Sequence, residues 1–266
     1  MPAFRNSPRR STAQDNHVLR EAPRLGFDPR NLGARLLVWS RSDLGAEMNG
    51  STVSDWADST GNGNGFSQAT AADQPTLASG GLGGRPELTF DGSSDHMDGA
   101  SFVGIVSAAD DWTIVVVVRD WTWGGNVQLY YGRGVLGTVG GGATRSNVGV
   151  TNDAGAGLGF GLWNAADGHV QAYGNDSQAQ GAAAIMVGVC NSGSLTMRVN
   201  GEAGSTASGT AGLHGGATTL ELGKGNANVA AWDGAVSEAM IFDGVLRTDE
   251  IQELEAYLSD RYGVRV

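Results

Sequence analysis

The 266-residue chain has a single cysteine, Cys190, so no disulfide can form within it. Cys190 follows the apolar run Ala184 to Val189, where a buried, inert thiol is expected. Proline is scarce, at six residues, so the loops are flexible turns rather than stiff polyproline spacers. No stretch approaches the ~18 apolar residues of a membrane span. The opening MPAFRNSPRRSTAQDNHVLREAPR is basic but has no apolar segment of the secretion-signal kind behind it. Synthesis and folding in the cytosol are expected on these grounds.

Glycine is abundant. Its 43 residues are more than twice the usual share of about 7%, and they follow no collagen-like period. With 40% hydrophobic residues, the chain has enough apolar material for one large all-β domain, a class that runs to roughly 200–250 residues. The net charge of −11 is unevenly spread: residues 1–35 carry seven arginines against Asp15, Glu21 and Asp28. The acidic remainder should repel nucleic acid and anionic membrane. Residues 1–34 show neither strand alternation nor a helical face, and they read as an extended basic arm spanning up to roughly 110 Å. Its Arg5, Arg9, Arg10, Arg20, Arg24 and Arg30 are candidates for docking to a partner.

Regular patterning starts at Leu36-Leu37-Val38-Trp39, a short apolar strand. Val53 to Asn64 reads as a polar, Gly-rich rim loop containing Trp56. Pro86 to Gly92 alternates and ends in Asp91-Gly92, a strand entering a tight turn. Trp112 to Val118 is almost continuously β-branched, as expected of a strand buried on both faces. Leu195, Met197 and Val199 alternate with polar residues up to Asn200-Gly201, a two-residue hairpin signal. Thr219 to Gly223 and Ala235 to Phe242 are further strands. The pattern predicts one helix over 248–262, with Thr248 as N-cap, Asp249 and Glu250 in the first turn, and Ile251, Leu254, Tyr257 and Leu258 as its apolar stripe. Gly263 suits the position after the last turn. Short strands with frequent turns favour a two-sheet antiparallel sandwich.

Certain segments resemble a known family. Leu37-Val38-Trp39, Trp56-Ala57-Asp58-Ser59-Thr60-Gly61-Asn62-Gly63-Asn64, Gly84-Arg85-Pro86 and Phe90-Asp91-Gly92 resemble, in order and spacing, the first half of laminin-G-like (concanavalin A-like) jelly rolls. Val199-Asn200-Gly201, Gly234, Glu238 and the closing Tyr257-Leu258-Ser259-Asp260-Arg261-Tyr262-Gly263 resemble the second half. The resemblance implies an all-β jelly-roll sandwich over residues 35–266, including the short C-terminal helix, which covers part of the sandwich without joining a sheet. For function it implies a range: carbohydrate binding, adhesion, glycan hydrolysis in some branches, and structural modules of bacteriophage particles.

Hydrolysis of a glycan needs two carboxylates flanking the bond. Hydrolases of the resembled fold usually carry them on one strand as Glu-x-Asp-x-x-Glu, and no such run occurs here. Glu221 and Glu238 each stand alone on a strand, Glu238 reading as a strand-edge or turn-bonding carboxylate. Glu250, Glu253 and Glu255 read as the exposed face of the helix. His17, His96, His169 and His214 have no zinc-binding spacing. No Gly-x-Ser-x-Gly elbow occurs, and Gly223-Lys224-Gly225 lacks the rest of a phosphate loop. An enzyme is therefore not expected, and no cofactor is implied apart from calcium. Related folds hold Ca²⁺ in rim loops, which makes Asp58, Asn62, Asp91 and Asp95 candidate ligands beside Asp55 and Asn64. Ordinary turn formation is the preferred account of these residues. Trp121, Trp123, Tyr131 and Trp163 are candidate sugar-stacking aromatics in loops, with core packing the alternative for each.

Two roles remain. One is a non-enzymatic structural protein of a bacteriophage particle, such as a head decoration, fibre or tail-associated subunit. It would assemble in the host cytoplasm, dock to other virion proteins through the arm, and expose a surface for glycans or cells. It is expected to be a symmetric homo-oligomer, a trimer at first guess. The other is a bacterial carbohydrate-binding or adhesion module.

Overall fold

In the computed structural model, the described residues are 26–101, 105, 111–122, 133–139, 147–153, 157–164, 168–175, 181–208, 219–224 and 231–266. Their strands begin with β1 (Leu36–Arg41), β2 (Ala46–Asn49), β3 (Thr52–Trp56), β4 (Phe66–Ser67) and β5 (Thr76–Ala78). β6 (Glu87–Asp91), β7 (Met97–Ser101) and β8 (Asp111–Arg119) follow. β9 (Arg133–Val139), β10 (Asn147–Asp153), β11 (Gly157–Asn164) and β12 (Gly168–Tyr173) form an antiparallel meander. β13 (Ala184–Asn191), β14 (Ser194–Val199), β15 (Glu202–Ser208), β16 (Thr219–Leu222) and β17 (Asp233–Asp243) complete the strands, and helix α1 (Thr248–Tyr262) closes the chain.

The pairings are antiparallel and build two sheets. The first runs β15-β14-β13-β8-β17, and the far edge of β17 is shared by β6 and β1. The second runs β4-β7-β16-β9-β10-β11-β12. A corner of β2, β3 and β5 connects the two. The expected jelly-roll sandwich is the observed fold.

Strand alternation explains the continuous apolar runs. On β8, Trp112, Ile114, Val116 and Val118 face the second sheet, while Val115 and Val117 face the helix. β13 divides in the same way, with Met186 and Cys190 inward and Ile185, Val187 and Val189 outward. The inward side chains meet Leu158, Phe160, Leu220, Leu222 and Met97 of the second sheet, with Trp112 and Phe160 edge to face at 5.2 Å. The outward ones meet Ile251, Leu254, Leu258 and Tyr262 of α1, which forms a third layer. Cys190 is buried, as expected. At the predicted Asn200-Gly201 turn both residues have positive φ, 50° and 79°, which a tight hairpin requires.

Three expectations about the ends of the chain change. The first concerns the arm, whose last residues lie on the body: Phe27 packs on Tyr257 at 6.1 Å and Leu32 joins the helix-side core. Asp28 caps a 3-10 turn, Pro29–Arg35, by accepting from Arg30 N. Second, Thr248 is the first helical residue rather than the cap, since Glu250 reaches back to accept from Arg247 N. Third, Glu250 and Glu255 are buried, not exposed, because arginines from neighbouring elements flank the helix. Arg35 pairs with Glu250, and Arg198 on β14 grips Glu255 with bonds of 2.9 and 2.8 Å.

Candidate functional site

The two outer faces of the sandwich differ. On the helix side the charges are matched. Glu238, 1% exposed, accepts from Trp39 Nε1 at 2.5 Å and Tyr262 Oη at 2.6 Å, with Arg261 Nε at 3.3 Å. Burial holds its carboxyl above the usual range against the pull of those donors. The expected strand-edge or turn-bonding role does not hold: the β17–β8 register shifts between Val236 and Glu238, and this bulge turns Glu238 towards the helix rather than into the inter-sheet core. Beside it, Asp43 takes Arg261, Arg85 and Arg41, at 2.5, 2.9 and 3.1 Å. Burial works against its ionisation, yet the bonds from Arg41 and Arg261 hold its pKa at about 2.

The outer face of the second sheet is built differently. Leu220 and Leu222 are in the core, so Glu221 between them turns outward. It is 8% exposed, and its Oε2 is buried without a hydrogen-bond partner. Burial pushes this carboxyl up to about 7, with Lys224 lowering and Asp98 adding to the rise. Directly opposite it on β7 is exposed Asp98, and opposite Asp98 on β4 is Ser67. In the other direction the register runs from Glu221 to Gly137, from Gly137 to Gly149, from Gly149 to Gly161, and from Gly161 to Gln171. A single cross-strand row thus has two carboxylates at one end, three glycines in succession, and an amide at the other. Gln171 leans towards Gly159, where an added Cβ would strike its amide, and it accepts from Tyr173 Oη at 3.2 Å. The pairing of Asp98 with Glu221 was not legible in the sequence, because the two lie on strands more than a hundred residues apart.

Of the expected sugar-stacking residues, Trp121 is not at the surface. Trp121 is fully buried in the inter-sheet core and donates Nε1 to Ala182 O at 2.7 Å. The positive φ of Asp120 turns the chain inward there, and Gly234 leaves room for the Trp121 backbone. Trp123 and Tyr131 lie outside the described residues. Trp163 is on strand β11 rather than in a loop, at the register position between Asn147 and His169 and two residues beyond Gly161. Trp56, expected in a rim loop, is buried on β3.

The candidate calcium ligands form turns. Asp58 accepts from Trp39 N and Thr60 N through Oδ1, and from Thr60 Oγ1 and Asn64 N through Oδ2. Asn62 donates to Leu36 O and Leu37 O, so this loop is stapled to β1. Asp91 Oδ1 accepts from Ser93, Ser94 and Asp95 N–H, a closed turn. Asp95 accepts from Asp91 N, and burial beside the Asp91 charge pushes it up to about 6, unlike a cation ligand. Among the described residues no group of three or more His, Cys, Asp or Glu is placed to hold a metal, and the carboxylate oxygens of Asp58 and Oδ1 of Asp91 are taken up by donors of their own turns. Of the arm residues, Arg5, Arg9, Arg10, Arg20 and Arg24 lie outside the described residues. Arg30 is not a free docking residue: it pairs with Asp28 at 2.6 Å and lies 5.5 Å over the Trp39 ring.

No curated protein matches the chain by sequence. Several solved structures share its fold at low identity. Domain 4 of a GH43 extracellular arabinanase from Geobacillus stearothermophilus, in complex with arabinotriose, matches with a TM-score of 0.59 and 13% identity, covering 83% of this chain and 98% of that one. Trypanosoma rangeli sialidase matches with a TM-score of 0.57 and 14% identity over 85% of this chain, which spans 33% of the sialidase. The binding domain of Paraclostridial Mosquitocidal Protein 1 matches with a TM-score of 0.55 and 10% identity, covering 83% of this chain and 52% of that one. Residues 131–252 match the laminin-G-like family model described as the concanavalin A-like lectin/glucanases superfamily, and the two-sheet body around them has the jelly-roll fold of these solved structures.

Proposed function

We propose that the chain is a non-enzymatic recognition module that presents the outer face of its second sheet to a glycan. The observation that carries this reading is the contrast between the two faces. One is covered by α1 with its carboxylates gripped by arginines, while the other holds Glu221 with a buried oxygen left unpaired. A buried acceptor without a partner costs ~1–3 kcal/mol, and a bound hydroxyl would supply the missing bond. Glu238 is closed off from the surface beneath the helix. Asp98 and Glu221 face one another directly on adjacent strands at one end of the row, rather than from either side of a bond at its middle. The arabinanase domain solved with arabinotriose lends support as a separate domain of the same architecture with a bound sugar.

Within this reading the module belongs to a bacteriophage particle, as a head decoration, fibre or tail-associated subunit, and associates as a symmetric trimer. Residues 1–25 are its tether, with five arginines against Asp15 and Glu21 beside an acidic body. A glycan array run alongside a reducing-end assay on the same polysaccharides tests the recognition role. Binding without product release is expected; steady turnover that is lost in Glu221→Gln would show an enzyme instead.

A further inference from the structure

We propose that the arginine-rich residues 1–25 of one copy dock on a row of carboxylates, Glu47, Asp55, Asp98 and Glu221, that crosses the outer side of β2, β3, β7 and β16 on a second copy. The inference goes beyond the glycan reading. The two meet only at Glu221, where a guanidinium and a sugar hydroxyl would compete.

The row is set by strand register. Glu221 is opposite Asp98, Asp98 opposite Ser67, Ser67 opposite Asp55, and Asp55 opposite Glu47. Their sequence neighbours Leu222, Met97, Phe66 and Trp56 enter the inter-sheet core, so strand alternation turns the row outward. Glu47, Asp55, Ser67 and Asp98 are exposed, which leaves this part of the face open to a partner. Acidic groups directly opposite one another destabilise a sheet, and here they face each other twice, at Glu47–Asp55 and at Asp98–Glu221. Among the described residues no ion pair joins any of the four to an arginine or lysine, although Lys224 is felt at Glu221. Glu87, Glu250 and Glu255, by contrast, are each held by an arginine.

Glu221 is the independent sign that something completes the row. It is more than nine-tenths buried and one of its oxygens has no partner, which native structures seldom leave so. Its neighbours fix the chemistry of the missing donor. Beside three exposed carboxylates a cation is attracted, and arginine bonds carboxylates through two N–H groups at once. The chain itself supplies such a segment, since residues 1–25 hold five arginines against Asp15 and Glu21. With strands ~4.8 Å apart the row is roughly 19 Å long, and the extended chain from Arg5 to Arg10 covers roughly 17 Å. The place where the segment begins selects a second copy. Phe27 packs on Tyr257 and Leu32 on the helix-side core, so the segment leaves from the face opposite the row. A donor segment behind and an acceptor row in front make a head-to-tail contact, which closes into a ring when repeated about an axis.

The test is the mass of the whole chain in solution, by light scattering at low and high salt, for wild type and two variants. The first combines Glu47→Gln, Asp55→Asn and Asp98→Asn; the second combines Arg5→Gln, Arg9→Gln and Arg10→Gln. Glu221 stays intact in both, so failure of the contact leaves the glycan reading untouched. Wild type should associate at low salt and dissociate at high salt. Each variant alone should be a monomer, the first with its melting temperature unchanged or raised because facing like charges are gone. An equimolar mixture of the two variants should form a one-to-one pair and nothing larger, since one intact row and one intact segment remain. Variants that associate as wild type does, a mixture that stays monomeric, or a wild type that is monomeric at low salt would each overturn the proposal.

Discussion

At Glu221 the folded protein holds a proton that the unfolded chain gives up. The carboxyl titrates near its ordinary 4.5 when unfolded and at about 7 when folded, because burial disfavours its charge. Between these values the native state binds more protons, so stability falls as pH rises from 4.5 to 7 and then levels off. Asp95 acts in the same sense between 3.8 and about 6. Asp43 acts oppositely: its contribution is present above 3.8 and is lost as the pH falls towards 2. The charged groups felt by Glu221 are Lys224, Asp98 and His96, and only Asp98 adds to the rise. Thermal melting should therefore be higher at pH 5 than at pH 8, and Glu221→Gln should narrow that gap by stabilising the protein at pH 8 while leaving pH 4.5 nearly unchanged. An identical pH dependence in the variant would mean that Glu221 is not held neutral.

Glycine plays opposite parts in the two sheets. On β13, Gly188 lies against the Phe160 ring, where an added Cβ would come within 2.6 Å of Cγ. Phe160 is fully buried and edge-on to Trp112, so it has nowhere to retreat. Gly188→Val should lower stability by about 1–3 kcal/mol, read as a reduced urea midpoint, with a changed near-ultraviolet signal from Trp112. The same residue type explains what could be read from the sequence. β8, β14 and β17 were legible because β-branched or alternating side chains announce them, and the closing helix because its apolar stripe does. β9 to β12 were hidden: in Gly157-Leu158-Gly159-Phe160-Gly161 the alternation is present, but glycine on the outward side resembles loop composition. The row across these strands was harder still, since its members come from separate strands and only register aligns them. Trp121 was misread for a related reason, because a tryptophan beside a glycine turn looks the same in sequence whether the turn bends outward or inward.

For the whole molecule, the arrangement is a three-layer body with a basic segment leading into it. Contacts with the body are in place by Phe27 and Leu32, and the 3-10 turn delivers Arg35 to Glu250 at the start of the helix. The proposed tether, residues 1–25, and the structural strap that follows it are therefore different parts of what looked like one arm, and truncation should separate them. Removing residues 1–25 should leave the melting temperature within a degree or two, because none of the residues that seat the strap is touched. Removing residues 1–35 strips Phe27 from Tyr257, Leu32 from the helix-side core and Arg35 from Glu250, and should lower it clearly. In the proposed particle, the shorter truncation should also abolish incorporation while the truncated body remains folded, and light scattering should report whether the trimer survives. If self-association resides in the body, as symmetric pairing through exposed sheet edges such as β2 would allow, the truncated protein should keep its mass; if it falls to a monomer, the basic segment is what brings the copies together. Incorporation that is indifferent to residues 1–25 would count against the tether, whatever the oligomeric state.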